Sequence, residues 1–91
     1  MLKLETTIRT ATDETVAVIG TIGPEYVPEL EAVVEASVRD GRRLSFDLSQ
    51  VRLAAREAVA FFVTGAGRRA RLTGCPAYLR EWFKSENRRH L

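Results

Sequence analysis

The chain has 91 residues, which is the size of one domain with a modest core rather than of a multidomain protein. Hydrophobic residues make up 45% of the sequence and charged residues 29%, proportions that indicate a folded globular chain and exclude a disordered one. The net charge of +2 is too small to indicate, by itself, a nucleic-acid partner.

Cysteine content and hydropathy favour a cytoplasmic location. The lone Cys75 excludes an intrachain disulfide and fits a reducing compartment. The amino terminus lacks the basic start and long apolar stretch of a secretory signal. No apolar run approaches the roughly 20 residues that span a bilayer. We therefore expect a cytoplasmic protein with no membrane contact.

Residues 2–22 predict two strands joined as a hairpin. Apolar and polar residues alternate along the first strand, from Leu2 to Arg9, as in a strand with one wet face. Residues 15–22 are dense in β-branched side chains and predict a second strand. Because only a short polar turn separates them, the strands should pair antiparallel. If the first strand lies at the sheet edge, it offers a route to a homodimer through pairing with a second copy.

An amphipathic helix is predicted to follow Pro24. Its apolar stripe consists of Val27, Leu30, Val33, Val34 and Val38. Pro28 is tolerable only in the first turn, and Gly41 is well placed to close the helix in the left-handed conformation. Four glutamates lie on this segment, namely Glu25, Glu29, Glu31 and Glu35. We interpret them as a solvated face, with a surface for a basic partner as the alternative.

Residues 44–62 form the centre of the predicted fold. Leu44, Phe46 and Leu48 alternate with polar residues, which predicts a strand with the Phe46 ring buried. A short polar turn should follow. From Ala55 onwards, apolar residues recur at spacings of three and four, which predicts a helix with one buried face. Because sites in open α/β sheets gather where strands end, residues 47–57 are the first place to look for function.

The last third of the chain predicts a short strand and a final helix. Residues 70–73 form the strand candidate, and the helix begins near Pro76. One side of this helix should seal the core with Tyr78, Leu79, Trp82 and Phe83. Residues 85–91 lack a buried pattern and should fray. The predicted class is α/β, a small mixed sheet of about four strands with three helices packed on it, in the order β-β-α-β-α-β-α.

This order of elements, together with the segment DLSQVRLAAREAVAFF, resembles the STAS domain of bacterial anti-sigma factor antagonists. In that family a strand ends in Asp-Leu-Ser, and a helix beginning with Asp-Ser-Ser-Gly-Leu follows after a turn. The matching residues are Asp47, Leu48, Ser49, Val51, Leu53, Val59 and Phe62. The resemblance covers nearly the whole chain. It implies a non-enzymatic protein-protein interaction module, regulatory in signalling or transcription, whose partner is an anti-sigma factor or another signalling protein.

The chain departs from this family at the start of the second helix. A serine there accepts phosphate from a partner kinase in the family, but Glu57 occupies the matching position here. A phosphoserine carries about −1.5 to −2 charge, whereas a glutamate carries a fixed negative charge without any kinase. The resemblance therefore implies a module that lacks the phosphorylation switch. The alternative is that Glu57 is simply a favourable residue for a first helical turn.

The predicted partner-binding surface lies on the outer side of the second helix. Its residues are Ser49, Arg56, Glu57, Ala60, Phe61 and Thr64. Phe61 is either an exposed interface anchor or a core residue beneath the first helix, and the sequence does not favour one over the other. For Asp47 and Ser49 we favour bonding to the backbone of their own turn over contact with a ligand.

No catalytic or cofactor-binding pattern is found. His90 stands alone near the end of the chain, so no nucleophile–histidine pair can be argued. One cysteine and one histidine cannot assemble a zinc site, and no phosphate-binding glycine pattern is present. Cys75 is interpreted as a small buried side chain rather than a reactive thiol. We expect a protein that is not an enzyme and needs no cofactor.

Nucleic-acid binding is the alternative function. Arginines concentrate late in the chain, at Arg68, Arg69, Arg71, Arg88 and Arg89. However, the final helix carries Glu81 beside its basic residues, and the isoelectric point near 9.1 reflects a small imbalance rather than a continuous basic stripe. The sequence therefore favours a protein partner over a nucleic-acid partner.

Overall fold

A mixed four-stranded sheet lies at the centre of the computed structural model, which describes residues 1–89. In spatial order its strands are β1 (Leu2–Arg9), β2 (Asp13–Ile22), β3 (Arg43–Ala54) and β4 (Arg71–Thr73). The α-helices are α1 (Val27–Arg39), α2 (Arg56–Val63) and α3 (Ala77–Arg89), with short 3-10 helices at Pro24–Tyr26 and Ala66–Arg69. The predicted α/β class and the order β-β-α-β-α-β-α are confirmed.

The amino-terminal hairpin forms as predicted. β1 pairs antiparallel with β2, and the turn is closed by the Thr10 N–H, which donates to the Asp13 carbonyl at 2.8 Å. β1 lies at one edge of the sheet, and its Ile8 side chain is exposed. β2 and β3, and then β3 and β4, are parallel. The edge position meets the condition for pairing with a second copy, and the homodimer itself stays a prediction.

Helix α1 packs on the sheet through part of its predicted stripe. Pro28 lies in the first turn, and Gly41 follows the helix with a φ of 70°, both as predicted. Leu30 and Val34 are buried, but Val38 is 52% exposed. The prediction that Val38 completes a buried stripe is therefore wrong, because the last turn of α1 borders an open groove.

Strand β3 is longer than predicted. The short polar turn expected between this strand and Ala55 is wrong, because the chain stays extended and paired with β2 up to the end of β3. Relative to β2, β3 contains two extra residues, one between Asp47 and Gln50 and one between Val51 and Leu53. Such β-bulges interrupt the alternation by which a strand is read from sequence.

Phenylalanines from β3, α2 and α3 fill the core between sheet and helices. Phe46 is fully buried, as predicted, and its ring lies edge-on to those of Phe61 and Phe62, with centroids 6.4 and 5.6 Å away. Phe83 from α3 extends the group through Phe62, at 5.9 Å. Edge-to-face pairs of this kind add to the free energy of burial.

Helix α3 continues past the point where fraying was predicted. It remains helical to Arg89, and Glu86 is buried, so residues 85–89 belong to the folded helix. The predicted tail residues His90 and Leu91 lie outside the described residues. Within residues 1–89, no helix is both long enough and apolar enough to cross a membrane.

Candidate functional site

The first bulge of β3 follows Asp47. Leu48 and Val51 are both buried although they are three residues apart, a spacing that a regular strand does not allow. The Ser49 N–H donates to Asp47 Oδ1 at 3.0 Å. This hydrogen bond from the Ser49 backbone lowers the pKa of Asp47. Asp47 thus bonds to the backbone two residues on, in agreement with the interpretation favoured from the sequence.

The second bulge is held by a side chain from α3. The Tyr78 hydroxyl lies 2.7 Å from the carbonyl oxygen of Arg52 and 3.1 Å from that of Val51, and it donates its proton to this pair. Burial raises the pKa of Tyr78 above its ordinary value. The sequence placed Tyr78 on the core side of α3, but it is 46% exposed. Its role is therefore to tie α3 to the irregular part of β3.

A close backbone approach joins the first bulge to the loop before α3. Gly74 has a φ of 63°, and a β-carbon built on it would lie 2.9 Å from both Asp47 Oδ1 and the Ser49 β-carbon. Both the left-handed conformation and the lack of space favour glycine at this position. The two bulges are therefore fixed by packing and hydrogen bonds.

Helix α2 starts immediately after β3 and presents its first turn to solvent. The Ala55 N–H donates to the Ile22 carbonyl at 2.8 Å, which ties the helix start to the end of β2. Glu57 lies in the first turn and is exposed. Its carboxylate is near the amino-terminal end of the helix, where the macrodipole stabilises negative charge. Neither Arg56 nor Glu57 forms an ion pair with another residue in the range 1–89.

Four of the predicted partner-binding residues share the outer face of α2. They are Arg56, Glu57, Ala60 and Thr64, and we call them the α2 face. Ala60 is half-buried and the other three are exposed. Thr64 ends the helix with its hydroxyl donating to the Ala60 carbonyl at 3.0 Å. Ser49 is exposed as well, but it belongs to the first bulge of β3 rather than to this face.

Phe61 does not belong to the α2 face. Its side chain is only 3% exposed, and its ring centroid lies 5.0 Å from that of Phe62. The loop after α2 covers it, since a β-carbon built on Gly67 would lie 2.6 Å from Phe61 Cε2. Of the two interpretations of Phe61, the exposed anchor is wrong and the core residue is correct, with the loop after α2 closing over the ring. Gly65 and Gly67 interrupt the helical pattern where the backbone closes over this ring.

Leu53 is an apolar residue whose exposure was not predicted from the sequence. It is 64% exposed on β3, three residues before the first residue of α2. The sequence predicted a turn at this position instead of a strand, because neither bulge could be recognised from the spacing of apolar residues. The available signal was that apolar residues continue after Leu48, where the regular alternation of the strand ends; this pattern is compatible with a bulged strand.

The remaining chemistry is sparse. Burial raises the pKa of the Cys75 thiol, while Arg80 acts in the opposite direction; a raised pKa lowers the thiolate fraction and hence the reactivity. No group of three or more metal-binding side chains occurs among the described residues. The exposed features near the end of β3 include the carboxylate of Glu57, the guanidinium groups of Arg52 and Arg56, and the apolar side chain of Leu53.

Comparison of the chain with models of known protein families and with curated proteins finds no match.

Proposed function

We propose that this chain is a non-enzymatic, cytoplasmic interaction module of the STAS type that regulates signalling or transcription by binding another protein. The proposal rests on one observation. Glu57, at the position where the resemblance expects a phosphorylated serine, is exposed in the first turn of α2. The partner proposed is an anti-sigma factor or a related signalling protein.

Glu57 gives the proposed module a permanent charge. A carboxylate in the first turn gains about 0.3–1 kcal/mol from the helix dipole, and its charge does not depend on a kinase. The charge is lower than that of a phosphoserine, about −1.5 to −2. We propose that the module is held in one charge state and binds its partner constitutively.

The surroundings of Glu57 support a protein partner. Protein interfaces combine an apolar centre with a polar rim. Leu53 supplies an exposed apolar side chain just before the helix, in place of the buried Phe61, and Arg56 lies beside Glu57 as a second charge. The rigid bulges of β3 reduce the ordering entropy that binding would otherwise cost.

Photocrosslinking in the native host tests this proposal. p-Benzoylphenylalanine replaces Ala60 on the α2 face or, as a matched control, the exposed Ala32 on α1. We expect a discrete protein adduct from position 60, none from position 32, and loss of the adduct when Glu57→Lys is added. No protein adduct from position 60, or the same adduct from both positions, would overturn the proposal.

A further inference from the structure

Six arginines converge on a groove at the opposite end of α2 from Glu57. They are Arg39, Arg42, Arg43, Arg68, Arg69 and Arg71, and we call this surface the arginine groove. It consists of two adjoining cavities of about 510 and 580 Å³, which share Val34, Val38 and Arg69 in their walls. The amino-terminal ends of β3 and β4, the last turns of α1 and the loop after α2 supply its walls.

The arginine groove carries more positive charge than the chain as a whole. Among the described residues, its lining contains six arginines and two carboxylates, Asp13 and Glu35. With Asp40, which pairs with Arg39 and Arg42 beside the lining, the local charge is +3 in a chain of net charge +2. Because like charges gathered in a cleft focus the field there, the surface attracts anionic groups. Its charge comes from distant segments that only the fold brings together.

The arginines differ in how firmly they are held. Arg42 is fixed, since its Nε donates to the Thr10 carbonyl at 2.8 Å and its Nη1 lies 3.0 Å from Asp40 Oδ2. Arg43 pairs with Asp13 at 3.2 Å. By contrast, the three arginines from the loop after α2 and from β4 are exposed and form no ion pair with any residue in the described part of the chain. Their guanidinium groups are available to a partner.

The floor of the groove is apolar. Val34 and Leu44 form its buried base, while Val38 remains 52% exposed at the point shared by both cavities. Ala66 and Ala70 line its sides. An apolar floor with an arginine rim is the arrangement of a protein-binding surface, in which arginine is enriched among the residues that dominate affinity.

We propose that the arginine groove binds an acidic protein segment that carries an apolar side chain. The apolar side chain covers Val38, and the flanking carboxylates pair with Arg68, Arg69 and Arg71, since a guanidinium accommodates a carboxylate through two parallel hydrogen bonds. This is a second binding surface, which adjoins the α2 face at Thr64 and goes beyond the function proposed for that face. It gives a role to Val38, which is exposed in the last turn of α1 at the junction of the two cavities.

The lining favours a protein segment over a nucleic acid. Single-stranded nucleic acids are bound through aromatic side chains on which bases stack, and among the residues that the structure describes no aromatic side chain lines either cavity. A small anionic ligand is disfavoured because the available arginines lie at the exposed rim rather than converging in an enclosed pocket.

Fluorescence anisotropy with the intact chain tests this proposal. The probe is a short labelled peptide of glutamate and leucine in amphipathic order, and two competitors are a peptide with serine in place of leucine and a single-stranded oligonucleotide of equal charge. We expect the leucine peptide to bind most tightly, with affinity falling as salt rises. Arg69→Glu and Val38→Asp should each weaken binding by at least about tenfold.

The matched control is Arg80→Glu, an exposed arginine on α3, which changes the net charge as Arg69→Glu does and should bind the peptide like the wild-type chain. Circular dichroism verifies that each variant is folded, and Arg69→Ala provides a milder test of the same side chain. Equal binding of the leucine and serine peptides would overturn the proposal. So would tighter binding of the oligonucleotide, or wild-type affinity in the Arg69 and Val38 variants. Crosslinking from position 60 should persist in Arg69→Glu, which separates failure of this proposal from failure of the proposed function.

Discussion

Replacement of Phe61 by alanine should destabilise the fold. Burial of a phenylalanine side chain contributes about 1.5–3 kcal/mol, and each edge-to-face ring contact adds about 0.5–1.5 kcal/mol. Phe61 is 3% exposed and makes two such contacts, with Phe46 and Phe62. The sum of these contributions agrees with the loss of unfolding free energy, about 3–5 kcal/mol, that is typical when a buried phenylalanine is replaced by alanine. This is a large part of the about 5–15 kcal/mol that stabilises a whole domain.

Urea denaturation measures this loss. With a slope of about 2 kcal/mol/M, a loss of 4 kcal/mol lowers the midpoint by about 2 M. Arg56→Ala, an exposed residue on the same helix, is the matched control and should change the free energy of unfolding by less than about 0.5 kcal/mol. A Phe61→Ala midpoint equal to that of the wild type would show that the ring is not in the core. The account of the loop after α2 would then be wrong.

Three further predictions concern Asp47 on β3, Tyr78 on α3 and the start of α2. The pKa of Asp47 is lowered in the folded state, so the Asp47 carboxylate stabilises the fold at pH values above its ordinary pKa of 3.8, and this contribution is lost as the pH falls through the folded-state pKa. The difference in unfolding free energy between wild type and Asp47→Asn should therefore shrink as the pH falls. A difference that does not change with pH would refute this prediction. The pKa of Tyr78 is raised in the folded state, so the protonated Tyr78 hydroxyl stabilises the fold at pH values below its ordinary pKa of 10.0, and this contribution is lost as the pH rises through the folded-state pKa. Ultraviolet titration should show one tyrosine that ionises at a higher pH than an ordinary tyrosine, and Tyr78→Phe should remove that signal. The same substitution should lower the free energy of unfolding by about 0.5–1.5 kcal/mol. Intact-mass analysis of protein from its host should show no phosphate at the start of α2, and stoichiometric phosphate on Ser49 would mean that the switch has been misjudged.

The regular parts of the fold could be predicted because their patterns are local. The alternation around Phe46 indicates a strand, and the positions of Pro28 and Gly41 follow from the conformations that proline and glycine adopt at helix ends. These signals depend on neighbouring residues alone. They were sufficient for the class and the order of the elements.

The end of β3 could not be predicted, because its shape depends on distant residues. Two bulges break the spacing of buried side chains, and one of them is held by Tyr78, about one quarter of the chain away. The exposure of Leu53 follows from this geometry. Phe61 posed a related problem, since helical periodicity cannot show that the backbone around Gly67 folds over the ring.

The arginine groove was likewise invisible in the sequence. The sequence showed arginines late in the chain, but three of the six groove arginines lie earlier, between the end of α1 and the start of β3. The parallel pairing of β3 with β4 brings Arg43 and Arg71 to the same end of the sheet. Charge that appears dispersed along the chain is thus concentrated on one surface.

The affinity of the partner recovered by crosslinking from position 60 tests the central claim most directly. Wild type, Glu57→Lys and the matched control Glu31→Lys, an exposed glutamate on α1, are compared by calorimetry with the purified partner. We expect Glu57→Lys to bind at least about tenfold more weakly, equivalent to 1.4 kcal/mol, while Glu31→Lys retains wild-type affinity. Equal affinities for wild type and Glu57→Lys would contradict the claim that the amino-terminal end of α2 is the binding surface.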